Sequence, residues 1–464
     1  MDFMTHYAMQ RLDEEKVFRD PVHDYIYIQD ALIIQLINTK EFQRLRRIKQ
    51  LGTTSLTFHG AEHSRFNHSL GVYEITRRII DKLSKPSASN PSPWDERYTL
   101  VTLCAALLHD IGHGPFSHTF EGIFNTYHEK ITQDIILSPK TEVHQVLLQM
   151  GDHFPDEVAQ IINKTYPHRQ VVELISSQID ADRMDYLLRD AYYTGVSYGK
   201  FDLTRILQVI GMHDEQIVFD FAGMHAIEDY IVSRYQMYMQ VYFHPVSRGM
   251  EELLRNLLKR AKDYFSTLDH TEVCQTTRAG LLAPFLFDNW TLEDYLVLDD
   301  GVLHTYFTLW LQEEDPILKD LAYRFLTRKP FKSILVEPAE RDELKMALDE
   351  ELIKLGFNHL YYFGENSSYD LPYDYYHPER ERIQIPIELL TKDQKIIELS
   401  QVSALVDSLT GKERGDHRLF FPRDLLKSIQ DLKEDERTTN QQKIYAAYLN
   451  EHTNFKHYVQ QRLF

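Results

Sequence analysis

The sequence predicts a mainly α fold, a helical bundle with small β-hairpin elements and a smaller C-terminal α+β lobe. From about residue 30 to 325, apolar residues recur at three- and four-residue spacing, the period of helices with one buried face. Breakers fall between those stretches: residues 85–93 read as a loop, and Gly112-His113-Gly114-Pro115 stops a helix sharply. After about residue 328 the texture changes to short apolar segments mixed with helical ones.

Taken in order, residues 17–28 (VFRDPVHDYIYI) alternate around a proline-containing turn and predict a small hairpin. Helices are expected over 31–48, 70–83, 98–109 and 170–189, with a short strand over 216–221. In the lobe, strands are expected over 331–336, 359–364 and 382–387, followed by a helix over 425–432. The chain thus divides into a large helical unit, 1–325, and a lobe, 326–464.

Hydrophobic residues make up 43% of the chain and charged residues 26%, enough to bury a large core, which argues against a disordered chain or a fibre. Acidic residues outnumber basic ones, 70 to 51, for a net charge of −19. Polyanion binders carry a basic excess, so no strong nucleic-acid binding is expected, although a local basic pocket stays compatible. Two cysteines, Cys104 and Cys274, leave no disulfide framework and no paired-cysteine zinc site; Cys104, in an apolar run, reads as core. The opening residues lack the apolar core of a signal peptide, and no apolar run reaches the roughly 18 residues of a membrane span. A cytoplasmic protein without membrane contact is expected.

Histidine is unevenly placed: ten of the 22 lie between His59 and His168. His109, Asp110, His113 and His118 follow directly on an apolar helix, where buried polar groups need partners or a metal. Adjacent His109 and Asp110 point about 100° apart on a helix and both reach a metal at its edge. His68 and Asp182 are the best further ligands, and two His with two Asp suit Mn, Mg, Fe, Ni or Zn. A self-satisfied polar cluster capping helices is the alternative. Asp182, Tyr186 and Asp190 share one helix face at i, i+4 and i+8, and Arg234, Tyr238 and Tyr242 repeat the interval, with core packing the plain alternative for the tyrosines.

These residues resemble the H…HD…D signature of the HD-domain phosphohydrolases, and within them the deoxynucleoside triphosphate triphosphohydrolases. The likeness runs through Lys16–His23 (KVFRDPVH), Phe42–Gly52 (FQRLRRIKQLG), Arg65–Gly71 (RFNHSLG), His109–His118 (HDIGHGPFSH), Asp180–Asp190 (DADRMDYLLRD) and Arg234–His244 (RYQMYMQVYFH). A bare HD dipeptide would be weak; this ordered series is specific.

The resemblance implies a divalent metal on His68, His109, Asp110 and Asp182, and cleavage of a dNTP to deoxynucleoside and triphosphate. It implies His118 as general acid, with His113 and His128 contacting the phosphates and Glu121 or Glu129 fixing an imidazole tautomer. Arg65, Arg183 and Arg234 match phosphate-binding positions, although relatives carry Lys at the position of Arg183. Tyr186 and Tyr242 would pack on the sugar and Asp190 would accept from its 3′-hydroxyl; Tyr238 stands where relatives carry His. Gln50 and Leu51 match deoxyribose contacts, Leu51 leaving no room for a 2′-hydroxyl.

Relatives form homotetramers activated by dGTP or GTP, and Lys16, Val17, Asn38, Gln43 and Arg46 match that guanine-nucleotide site. Asn38 replaces the Asp of a human member, and the basic residues around Arg46 also read as a solvated helix face. Of a second activator site Arg205 and His244 match, but Asp220 and Ala222 replace basic residues; Arg418 and Arg423 of the lobe are further candidates. The resemblance makes 1–325 the HD-domain catalytic core and 326–464 an oligomerisation or regulatory lobe. The other readings are an HD enzyme for a nucleoside monophosphate or guanosine alarmone, and a non-catalytic nucleotide sensor.

Overall fold

A computed structural model describes residues 11–86, 90, 93–368, 385–409 and 416–462. The hairpin pairs Arg11–Asp20 with Asp24–Asp30, closing at Asp20 opposite Asp24, whose backbone is left-handed (φ 62°). It leads into the helices. The expected helix over 31–48 is instead broken into Ala31–Asn38 and Lys40–Arg44, followed by a 3₁₀ turn, Leu45–Arg47. The Thr39 hydroxyl accepts from Phe42 N and starts the second helix afresh, a local bond that competes with continuation.

Helix Arg65–Leu83 packs on Thr99–Leu108, all ten of whose residues are buried, Cys104 among them. The helix then stops as the glycine-proline run predicts. A Cβ on Gly112 would lie 2.3 Å from the carbonyl oxygen of His128, and one on Gly114 would lie 2.4 Å from the hydroxyl of Tyr295. Only glycine lets the chain pass this close to its neighbours. The helix expected over 170–189 is likewise two: Arg169–Glu173, then Ala181–Thr194. Asp180 caps the second, accepting from Arg183 N at 2.7 Å, and Gly195 closes it with φ 76°. A single π turn, Tyr238–Tyr242, follows helix Met224–Met237 and lets His244 and Pro245 open the long helix Pro245–Phe265.

The strand expected at 216–221 is Gln216–Asp220, paired antiparallel to Ile210–His213 and parallel to Glu388–Leu390, which pairs in turn with Ile396–Glu398. Part of the C-terminal third therefore completes a sheet of the helical unit, and Ile387, Leu389, Leu399 and Val406 join its core. The rest of the lobe has its own apolar core, in which Ile334, Leu348, Leu419, Leu425 and Ile444 meet. It is a three-stranded sheet, with Asp416–Phe421 between Lys332–Leu335 and Gly364–Ser368, covered by helices Arg341–Lys354, Arg423–Gln430 and Thr439–Arg462.

Two lobe expectations need correction. Residues 359–362 form a short helix, His359–Tyr362, because the Asn358 side chain accepts from Leu360 N; the strand begins only at Gly364. The strand expected at 382–387 lies partly outside the described residues, and its described part, 385–387, is irregular; pairing starts at Glu388. Among the described residues no helix is long and apolar enough to cross a membrane.

Candidate active site

Helix Arg65–Leu83, the end of Thr99–Leu108, the turn after it and helix Ala181–Thr194 bring His68, His109, Asp110 and Asp182 together. His68 Nε2 lies 3.0 Å from Asp182 Oδ1 and 3.8 Å from Asp110 Oδ2. His109 Nε2 lies 3.5 Å from Asp110 Oδ1 and 3.6 Å from Asp182 Oδ1. Ligand atoms of His68, His109 and Asp110 all fall within 4.8 Å of one another, a group that could hold a metal ion. The decisive detail is His109 Nε2. Its Nδ1 donates to the Ala106 carbonyl at 2.9 Å, which in the neutral ring leaves the lone pair on Nε2, buried and without a hydrogen-bond partner. An orphaned imidazole nitrogen aimed at two carboxylates fits a divalent cation.

His68 is oriented from behind by Asp185, whose Oδ2 lies 2.8 Å from Nδ1. The other oxygen of Asp185 lies 2.6 Å from His23 Nε2, and Arg189 donates to both. Burial alone would raise this carboxyl, but Arg189 and the bonds from His23 and His68 hold it well below the usual carboxylate range. Carboxylate-histidine pairs of this kind set the tautomer and ring angle of a metal ligand. Asp185→Asn is therefore expected to lower metal affinity by roughly 10- to 100-fold while leaving the four candidate ligands in place, as a metal titration would measure. Asp185 and His23 both lie inside blocks that carry the family resemblance, but nothing in their spacing singles them out.

Beside this group opens a cleft of about 480 Å³, within the usual range for a small-molecule site. Thirteen of the expected residues line it: Gln50, Leu51, Arg65, His68, Asp110, His113, His118, His128, Asp182, Tyr186, Asp190, Tyr238 and Tyr242. Arg65 spans its floor, donating to Asp110 Oδ2 at 2.6 Å and to Ser117 Oγ at 2.8 Å. Arg183 and Arg234 do not line it. Arg183 pairs with Asp180, and Arg234 lies 5.6 Å from the Tyr238 ring; both act electrostatically on Tyr186 from behind the wall. The Tyr242 hydroxyl donates to Asp190 Oδ2 at 2.7 Å, and His63 Nε2, unforeseen from sequence, lies 2.7 Å from Asp190 Oδ1. The Asp190 carboxylate is thus fixed, each oxygen keeping a second lone pair for a ligand. Tyr186 and Tyr238 hydroxyls are 3.3 Å apart.

The three histidines form a second cluster. His113 stacks on His128 with ring centroids 3.8 Å apart, and burial together with the Arg65 guanidinium holds it well below the usual imidazole value. It is therefore neutral at pH 7. Glu121, rather than the exposed Glu129, orders the other two: it lies 2.6 Å from His128 Nδ1 and 3.2 Å from His118 Nδ1. Burial opposes its charge, but these imidazoles hold it ionised, well below the usual range. His118 is 71% exposed and reaches into the cleft, unlike the buried His113.

The turn carrying His118 is strained. Phe116 and Ser117 have φ of 50° and 40°, a region that costs non-glycine residues about 1–3 kcal/mol each. It is held from three sides. Asp300 accepts Phe116 N at 3.1 Å and Lys49 N at 2.8 Å, Arg44 donates to the carbonyls of His113 and Leu298, and Tyr295 donates to that of Gly112. Asp300 thereby ties the histidine turn to the Gln50–Leu51 wall.

The activator positions lie elsewhere. Val17 is exposed on the hairpin with Lys16; Gln43 bonds to the Ile37 carbonyl and to Arg46, which stacks on Phe66 at 3.6 Å; Asn38 lines a separate groove with Thr39 and Lys140. Arg205 donates to the Ala222 carbonyl, whose own N–H is taken by Asp220, and His244 caps Val246 N.

An HD domain model matches residues 65–190 and a model described as the HD associated region matches 201–284. Helical geometry, the His/Asp group and these matches agree: the chain belongs to the HD-domain phosphohydrolases. Within that family it is 53% identical over 421 residues to the uncharacterized protein YwfO of Bacillus subtilis, covering 90% of this chain and 95% of YwfO. It is 31% identical over 289 residues to the Dictyostelium discoideum homolog of SAMHD1, a deoxynucleoside triphosphate triphosphohydrolase, spanning 58% of this chain and 53% of that relative. Among solved structures, a phosphohydrolase from Bacteroides thetaiotaomicron superposes with a TM-score of 0.75 at 29% identity, over 88% of this chain and all of the other.

Proposed function

We propose that the chain hydrolyses dNTPs to deoxynucleoside and inorganic triphosphate, in a homotetramer activated by dGTP or GTP. The observation that carries this reading is the orphaned His109 Nε2 facing Asp110 and Asp182, which line the same cleft as Leu51, Tyr186, Asp190 and Tyr242. That pairs a metal-dependent phosphohydrolase centre with a seat for a sugar.

His68, His109, Asp110 and Asp182 would hold the ion. A divalent ion there supplies an acidified water and a countercharge for phosphoryl oxygens. The rest falls to the chain's own residues. Arg65, beside Asp110, meets the phosphate chain, and neutral His113 donates or accepts without adding charge. Water oxygen bonds to the α-phosphorus as the bond to the 5′-oxygen breaks, and that oxygen leaves with a proton from His118 Nε2, its Nδ1 fixed by Glu121. Leu51 and Tyr242 bracket the deoxyribose, Leu51 where a 2′-hydroxyl would stand. Arg183 and Arg234 raise the positive potential behind Tyr186 without contacting the cleft.

Activation rests on residues of 1–325 and on the lobe, 326–464, to which we assign regulation and assembly. Arg46 offers its guanidinium from an exposed turn, positioned by its bond to the half-buried Gln43. A cavity of about 380 Å³ where the helical unit meets the lobe is lined by Arg324, Arg328, Lys329, Lys332, Arg423 and Lys427 against one acid, Asp424. In a chain of net charge −19 such a concentration of cations suits the phosphates of a nucleotide held between subunits.

The test is the rate of release of triphosphate from dNTPs and NTPs, with and without dGTP or GTP. dNTPs are expected to turn over and NTPs not, with rates rising on addition of the activator. In Arg46→Ala the activator concentration for half-maximal rate is expected to rise by about tenfold, the loss of one charge-assisted contact. Equal turnover of NTPs, or activation unchanged in that variant, would contradict the respective part.

A further inference from the structure

The group of His109, Asp110 and Asp182 is reached from two cavities. Besides the substrate cleft there is one of about 310 Å³ whose inner end is formed by His109, Asp110, His128 and Asp182. Asp110, His128 and Asp182 line both cavities, so the two meet at the HD group. The outer wall of the second comes from residues absent from the cleft: Gln133 on helix His128–Leu137, Asn163 and Lys164 in the turn after Phe154–Ile162, and Ser176 in the link before Asp180. Asn163 and Lys164 are exposed, and Lys164 takes a left-handed turn (φ 62°), so the cavity opens on solvent.

We propose that this cavity is a second mouth of the active site, through which water reaches the centre while a nucleotide fills the cleft. The inference rests on the hydrolytic reading above. An in-line displacement at phosphorus needs the attacking water and the departing oxygen on opposite sides. His118, the residue assigned to the departing oxygen, lines the cleft and not the second cavity. The water therefore belongs on the side of Asp110 and Asp182, where the second cavity opens, and a sugar seated between Leu51 and Tyr242 blocks the other route. The wall chemistry points the same way. Lys164 and Glu129 offset one another, and the rest of the outer wall is the amides of Gln133 and Asn163, the Ser176 hydroxyl and two isoleucines, Ile162 and Ile175, a lining that admits water and gives no net attraction to a polyphosphate.

Ser176→Trp, from a half-buried wall position, would fill the mouth. Protein loaded with Mn is mixed with a chelator, with and without a saturating dNTP analogue whose 5′-oxygen is replaced by methylene; calorimetry establishes analogue binding. With the analogue bound, Ser176→Trp is expected to lose Mn about tenfold more slowly than the wild type; without it the two should agree, because the cleft offers a second way out. In turnover, kcat should fall by about tenfold with KM unmoved. If Ser176→Trp fails to fold, Gln133→Trp fills the mouth from the opposite wall. Equal Mn loss from variant and wild type with the analogue bound overturns the second mouth alone. An analogue that does not bind overturns the dNTP reading, and this inference with it.

Discussion

Asp110→Ala is expected to abolish both bound metal and turnover, the rate falling by about 10⁴-fold or more because the acidified water and the countercharge are lost together. Asp110 sits at the crossing of the site. It faces His109 at 3.5 Å, His68 at 3.8 Å and His113 at 3.4 Å, and it is the carboxylate to which Arg65 is anchored. Burial opposes its charge, yet His109, Arg65 and a hydrogen bond from His113 hold it ionised, well below the usual range. Removing it leaves the buried Arg65 without that partner, so a thermal melt must accompany the metal analysis. Asp110→Asn separates the effects: its amide oxygen keeps a bond from Arg65 while the anionic ligand is gone. Metal retained at wild-type stoichiometry in both variants would remove Asp110 from the ligand set.

His118→Ala is expected to keep the metal and lower kcat by roughly 10²- to 10⁴-fold, the usual worth of a positioned general acid. His118 is exposed, contacts Glu121 and makes no contact with His68, His109, Asp110 or Asp182. Metal content and melting temperature should therefore stay at wild-type values. A leaving group that needs no proton gives a sharper readout. With nitrophenyl triphosphate, whose nitrophenolate takes the place of the 5′-alkoxide, His118→Ala should approach the wild-type rate, whereas with a dNTP it should not. Equal loss on both substrates, or loss of metal, would assign His118 a different role.

The residues that the structure brings together here were legible in sequence because the candidate metal ligands lie in short, dense blocks. His109 and Asp110 follow an apolar helix, and Asp182, Tyr186 and Asp190 share one face of helix Ala181–Thr194. The supporting residues were not legible, since each is a single common side chain whose partner lies far along the chain. Asp185 meets His68 across 117 residues, His63 meets Asp190 across 127, and Asp300 meets Phe116 across 184. Helix type and approximate place followed from the apolar period, but the period does not register a side chain that captures a backbone N–H. Thr39 and Asp180 do so, and each divides what the pattern reads as one helix. The pairing of Gln216–Asp220 with Glu388–Leu390 was hidden for the related reason that a two-residue parallel register leaves almost no pattern.

The central claim is that the HD group directs water to the α-phosphorus of a dNTP. It is tested most directly by turnover in ¹⁸O-water with Mn or Mg and activator present, followed by mass analysis of both products. Unlabelled deoxynucleoside together with intact triphosphate carrying one ¹⁸O is the predicted result. Release of monophosphate or pyrophosphate, label in the nucleoside, or no turnover of any dNTP by the metal-loaded protein would contradict it.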